Sequence, residues 1–158
     1  MFGIFNTKKE LLEVDINFVF DKAKYHFETI DNLNLDDNQA YVHSGFFFSW
    51  LINKDLHSDF LIEESESQIK KLKERKISAT EIYEDWDGVL IGELLNKIGY
   101  NFAIEYFDFE TGDFVNDYIK TFNCKDPKFF TVENTWNNYD KLAKVLDKRF
   151  LKWKRKRC

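Results

Sequence analysis

A mainly α-helical single domain covering residues 1–158, with an aromatic-rich core and a long amphipathic C-terminal helix, is the architecture this sequence predicts. Three observations carry that expectation. The last segment repeats Trp136, Tyr139, Leu142, Leu146, Phe150 and Trp153 every three or four residues, the spacing of one helix face. No internal repeat, low-complexity tract or Pro/Gly/Ser-rich linker divides the 158 residues, a length that supports one proper core and is short for two. Seventeen Phe, seven Tyr and four Trp supply most of the apolar stock, so the core is built from rings with large areas to bury and a preference for edge-to-face packing. An α+β fold with a small hairpin or sheet is the alternative, because two segments suit either helix or strand.

The first of these is "DINFVFDKAKYHFETI", where Phe18, Lys22, Tyr25 and Thr29 mark helical spacing while Phe and Val suit a strand equally well. "DNLNLDDNQ" is rich in turn residues, and Asp36 or Asp37 stands where it can cap the following helix. "EESESQIKKLKERK", Glu63 to Lys76, carries only Ile69 and Leu72 as apolar residues, which predicts an exposed helix held by pairs such as Glu66 to Lys70. Ser78 with Glu81 three residues later has the spacing of a capping box, and Gly88 is a natural stop. "GYNFAIEYFDFETGDFVNDYIKTF" is the second ambiguous segment: two short helices about Thr111-Gly112, or an aromatic hairpin. The only proline, Pro127, marks a long loop before the last helix, with Asn134 or Thr135 at its N-cap.

"YVHSGFFFSW", Tyr41 to Trp50, is apolar on more than one helical face, so its helix is buried on more than one face. Gly45 lets another backbone approach closely, which is worth the ~1 kcal/mol that a mid-helix glycine costs. His43 among rings reads as a buried histidine bonded to a backbone carbonyl or an acid. With Gly45, Trp50, Trp136, Tyr139 and Phe150 it makes up the expected structural core.

The charge is unevenly placed. From Lys141 to Cys158 there are nine Lys or Arg and one acid, Asp147, leaving 14 bases and 27 acids in residues 1–140, a local balance of −13. Residues 148–158 form a basic C-terminal tail of the last helix. An acidic body repels phosphates and attracts basic surfaces, so a basic protein is the expected partner and nucleic acid is not. Glu81, Glu84 and Asp85 share one helix face, with Asp87 after them. Such like-charged pairs weaken their own helix unless something basic offsets them, either the protein's own tail or a partner. Asp108, Glu110, Asp113 and Asp117 lie among rings that suit an interface. These eight acids are the candidate partner-binding residues.

Familiar catalytic patterns are not found. Three histidines, His26, His43 and His57, show no HExxH or His-x-His spacing, and there is no CxxC, phosphate loop or Gly-x-Ser-x-Gly elbow. "DWDGVL" starts like a calcium loop, but its glycine comes too early. No catalytic residue, metal or cofactor is therefore expected. Cys124 and Cys158 are expected to remain unpaired, the start lacks a basic region ahead of a long apolar run, and no span approaches membrane length, all of which favour the cytoplasm.

"QAYVHSGFFFSWLINKDL", "DWDGVLIGELLNKIGYNFAIEYFD" and "ENTWNNYDKLAKVLDKRFLKWK" resemble, in that order, three blocks of a bacterial family of small cytosolic proteins whose function is unknown. The resemblance covers about Tyr25 to Trp153 and rests on Ala40, His43, Gly45, Trp50, Asp87, Gly88, Asn101, Ala103, Tyr106, Thr135, Trp136, Tyr139, Asp140, Leu146, Phe150 and Trp153. It brings no catalytic residue with it, and the polar Glu63 to Lys76 helix lies outside its tightest pattern. What the resemblance implies is an immunity protein of a bacterial toxin system. Together with the acidic body this makes a non-enzymatic binding protein, neutralising a basic toxin domain, the expected function. The alternatives are an enzyme pairing His43 with Asp87 or Asp140, and a regulatory module acting through the basic tail.

Overall fold

The computed structural model describes residues 9–157. The chain's first residues and Cys158 lie outside them, and with them the expectations on the leader and on a Cys158 disulfide; Cys124 is a buried free thiol. The described residues form seven helices and a two-stranded antiparallel sheet. The strands are β1 (Val19–Lys22) and β2 (Val89–Ile91). The helices are α1 (Phe27–Asn32), α2 (Val42–Asn53), α3 (Asp59–Lys73), α4 (Glu81–Asp85), α5 (Lys97–Tyr106), α6 (Phe114–Phe122) and α7 (Trp136–Arg155). Four short 3₁₀ turns, Ala23–His26, Asp37–Tyr41, Gly92–Leu94 and Phe129–Thr131, join them. None of the described helices is long and apolar enough to cross a membrane.

The mainly helical class holds, and the aromatic core is as expected. Every residue of α2 from Val42 to Ile52 is buried, as a helix apolar on more than one face requires. Phe47 stacks on Phe107 at 4.4 Å between centroids, and Trp50 meets Phe150 edge-on at 5.6 Å. Thr135 caps α7 by accepting from the Asn138 amide at 3.1 Å, and Tyr139, Leu142, Leu146 and Trp153 are buried along its inner face. Polar ties complete the seat of α7. The Trp50 indole donates to Asp147 at 2.9 Å, Asn53 to the Tyr139 hydroxyl at 2.7 Å, and Trp136 to the Ile77 carbonyl at 3.1 Å. Trp136 and Phe150, expected in the core, are only partly buried and pack against its edge.

The first ambiguous segment divides. Residues 19–22 pair as a strand with β2 across an irregularity at Val19/Asp21, and the chain then coils through a 3₁₀ turn into α1. The second resolves into α5 and α6 on either side of Thr111-Gly112. Asp36 caps the turn that leads into α2, accepting from Asn38 at 2.8 Å. The Ser78 capping box does not form: α4 begins at Glu81 after a non-extended Thr80, and the Ser78 hydroxyl meets Thr80 instead. Asp87 and Gly88 both take the left-handed conformation, φ 57° and 62°, so the chain does stop α4 there. α3 is exposed along most of its length and turns Leu61, Ile69 and Leu72 inward. Its backbone leaves helical geometry at Ser65, and Glu66 and Lys70 make no ion pair with each other.

Gly45 faces α4's leading residue, as the close-approach reading predicts. A Cβ there would stand 2.9 Å from Thr80 Cγ2 and 3.1 Å from its Cα, and Thr80 is buried. Gly45→Ala should therefore destabilise by roughly 1–3 kcal/mol despite the better helix propensity of alanine, because the backbone of Thr80 has to move. Urea denaturation checks this, and a neutral or stabilised variant would contradict the packing.

Candidate functional site

A single acid stands in the apolar strand β1, and its side chain turns inward. Asp21 is 2% exposed. The extended backbone alternates Phe20, Asp21 and Lys22 across the strand, and β2 holds that register through Leu90. The 3₁₀ turn that follows brings His26 back over Asp21, five residues on. His26 Nε2 lies 2.8 Å from Asp21 Oδ1 and 3.0 Å from Oδ2. From the other side comes the first turn of α2. His43 Nε2 lies 3.1 Å and Ser44 Oγ 2.5 Å from Oδ2. A carboxylate only accepts, so both imidazoles present Nε2–H and the serine presents its O–H.

His43 is 1% exposed, and rings wall it. The centroids of His26, Phe129, Phe130 and Phe109 lie 4.8, 5.3, 5.6 and 5.9 Å from that of His43. His26 forms the rim, with 17% of its side chain exposed. Burial pushes the His43 imidazole below its ordinary value, and Asp21 only partly opposes that. Burial alone would raise the Asp21 carboxyl, but hydrogen bonds from His26 and then His43 hold it well below the usual carboxylate range. At neutral pH the site is thus a buried carboxylate facing a neutral His43. His43 Nδ1 and the hydroxyl of nearby Tyr83 are buried without a hydrogen-bond partner. Among the described residues, Asp21, His26 and His43 form a group able to hold a metal ion, their ligand atoms all lying within 4.8 Å of one another.

The expected acid bonded to His43 is therefore Asp21, and neither Asp87 nor Asp140 reaches it. Asp140 binds Arg75 in a two-pronged pair at 2.6 and 2.9 Å, and Asp87 is exposed in the turn after α4. The Ser44 hydroxyl donates to the Asp21 carboxylate and not to a histidine, so the site lacks a serine–imidazole pair. Asp21 and His26 escaped the sequence reading. Strand alternation hides the acid in the sequence, since it sets Asp21 on the face opposite Phe18 and Phe20.

The partner-binding acids separate into two groups. Asp117 is not on the surface: at 6% exposure it accepts from Tyr106 Oη at 2.7 Å and from Arg149 Nε and Nη2 at 2.8 and 2.9 Å. Asp113 lies 3.5 Å from the same guanidinium. Asp108 accepts from the Glu110 and Thr111 amides and so shapes its own loop, and Glu110 is exposed. The tail thus neutralises part of this group, and Arg157 does the same for Glu105 at 2.6 Å. Asp85 and Asp87 are exposed, Glu81 and Glu84 are partly buried, and none of the four makes an ion pair among the described residues. Asp85 accepts only from Gln68 of α3, at 2.7 Å. Burial first, then the charges of Glu81 and Asp85, raise the Glu84 carboxyl, although Thr80 opposes this.

No curated protein and no solved structure matches the chain. A family model does match, over residues 19–132. That span holds Asp21, His26, His43 and Ser44, all eight candidate acids, and α3. It stops before α7, so the third block, from Glu133 onward, lies outside it. The chain belongs to the family described as a domain of unknown function, DUF7832.

Proposed function

We propose that the protein is a non-enzymatic binding protein of the bacterial cytoplasm that presents the acidic face of α4 to a basic protein, as an immunity protein does to the toxin it neutralises. The supporting observation is selective neutralisation. Arg149 and Arg157 of the tail pair with Asp113, Asp117 and Glu105, while Glu81, Glu84, Asp85 and Asp87 pair with no lysine or arginine among the described residues. Asp37 adds to the same field, since Tyr41 is raised by burial and then by Glu84, Asp37 and Asp87. An uncompensated like-charge cluster is costly to its own helix, and a basic partner relieves it while gaining speed of association.

Co-expression with the product of the adjacent gene, followed by association kinetics on the captured pair, tests this. Reversing Glu84, Asp85 and Asp87 together to lysine should slow association at least about tenfold at low salt, whereas Glu110→Lys should change it far less. The reading fails if no neighbouring gene product binds, or if the triple reversal associates as fast as the parent.

A further inference from the structure

Asp21 buries a charge for which the described residues provide no cation side chain beyond histidine. No lysine or arginine among the described residues lies within 4 Å of it, and its contacts are two imidazoles and a hydroxyl. Buried charges are ordinarily ion-paired or coordinated to a metal. The two imidazoles and the hydroxyl hydrogen-bond the carboxylate from three sides.

The spacing of the donors answers to that deficit. An ion bound at about 2.0–2.2 Å to nitrogen and oxygen holds neighbouring ligand atoms about 3.0–3.5 Å apart. Asp21 Oδ2 stands 3.0 Å from His26 Nε2 and 3.1 Å from His43 Nε2, and all three ligand groups fall within 4.8 Å of one another. They arrive from three separate pieces of chain, β1, the Ala23–His26 turn and the first turn of α2. Both rings direct Nε2 at the same carboxylate. Ser44, 2.5 Å from Oδ2, fixes the carboxylate's orientation, the service that a hydrogen-bond donor behind a metal ligand ordinarily performs.

We infer that Asp21, His26 and His43 bind a divalent transition-metal ion of the zinc class, through one carboxylate oxygen and the two Nε2 atoms. Two nitrogens and one oxygen are a donor set that suits zinc and its neighbours and does not suit magnesium or calcium, which take oxygen shells. Binding displaces the Nε2 hydrogens, and each neutral ring then carries its proton on Nδ1. With Asp21 and His43 sealed, the ion enters past the rim residue His26 and pins β1 and the turn to α2. The site makes no use of the acidic face of α4, so it stands or fails independently of the partner proposed above.

The test uses the full chain stripped with a chelator and titrated with Zn²⁺, then with Co²⁺ as a spectroscopic probe. One equivalent should bind per chain, and the melting temperature should rise by about 5–10 °C at a hundredfold excess over Kd. Cobalt should give visible ligand-field bands without thiolate charge-transfer absorption. His26→Gln, a substitution at the partly exposed rim, should weaken binding at least about tenfold while the metal-free variant still melts cooperatively. Absence of stoichiometric uptake by the parent chain, undiminished affinity in His26→Gln, or a thiolate-to-cobalt band would each overturn the assignment.

Discussion

Asp21→Ala, measured in chelator, is expected to lower the melting temperature by about 6–20 °C. The substitution strands three donors at once: His26 Nε2, His43 Nε2 and Ser44 Oγ, the last two buried. Each buried donor left without an acceptor costs roughly 1–3 kcal/mol, while removal of the carboxylate recovers part of its own desolvation. A net loss of roughly 3–5 kcal/mol results, and a chain of this length melts about 2–4 °C lower per kcal/mol. Asp21→Asn keeps the shape and one acceptor oxygen but turns an amide NH₂ toward donors, so it should fall between. The sign of the pH dependence follows from the depressed carboxyl. A folded-state value below the ordinary 3.8 means that the stabilisation is fully present above pH ~4 and is lost as pH falls below it. The gap between parent and Asp21→Asn should therefore narrow in acid. A gap of under 1 kcal/mol at neutral pH, or one that widens in acid, would show that the carboxylate is not the organising charge of this site.

That the largest expected effect belongs to a residue invisible in the sequence has a physical reason. α7 was legible because its six apolar positions report one face of one helix, a local pattern that needs no knowledge of the neighbours. α2 was legible too, since apolar residues on more than one face and a glycine at Gly45 already demand burial and a close approach, which Thr80 supplies. Asp21 meets His26 five residues away and His43 twenty-two away, through a strand, a 3₁₀ turn and a helix entry. No motif spacing encodes such a meeting, so the three histidines looked unrelated. The acids show the same division. Their number and sign are written in the composition, but which of them the tail reaches depends on where α7 lies. Arg149 meets Asp117 because α6 and α7 pack together, and nothing in "DFVND" distinguishes that buried acid from its exposed neighbour Asp113. The Ser78 capping box failed for a third reason: two hydroxyls compete within one turn, and Thr80 rather than Ser78 stands next to the helix start.

Arg149→Met is the second substitution expected to cost heavily, about 2–4 kcal/mol. Asp117 accepts the guanidinium through both oxygens and the Tyr106 hydroxyl through one, and only 8% of its side chain reaches solvent. Loss of the arginine leaves a buried carboxylate held by a single phenol. Breaking a buried pair from one side costs about 3–5 kcal/mol, and the figure here is lower because a third of the Arg149 side chain is exposed. Arg149→Lys should recover little, since an ammonium cannot meet both carboxylate oxygens with the planar fork that Nε and Nη2 provide. The decisive variant is the double one. Asp117→Asn with Arg149→Met removes the charge together with its partner, and an amide can still accept from Tyr106, so at least half of the loss should return; the double-mutant cycle in urea reads this as the coupling energy. If the double variant is as unstable as the two single losses added together, Arg149 acts through the packing of its stem alone. The clasp would then not be electrostatic, and the neutralisation that separates Asp113 and Asp117 from the free acids of α4 would lose its physical basis.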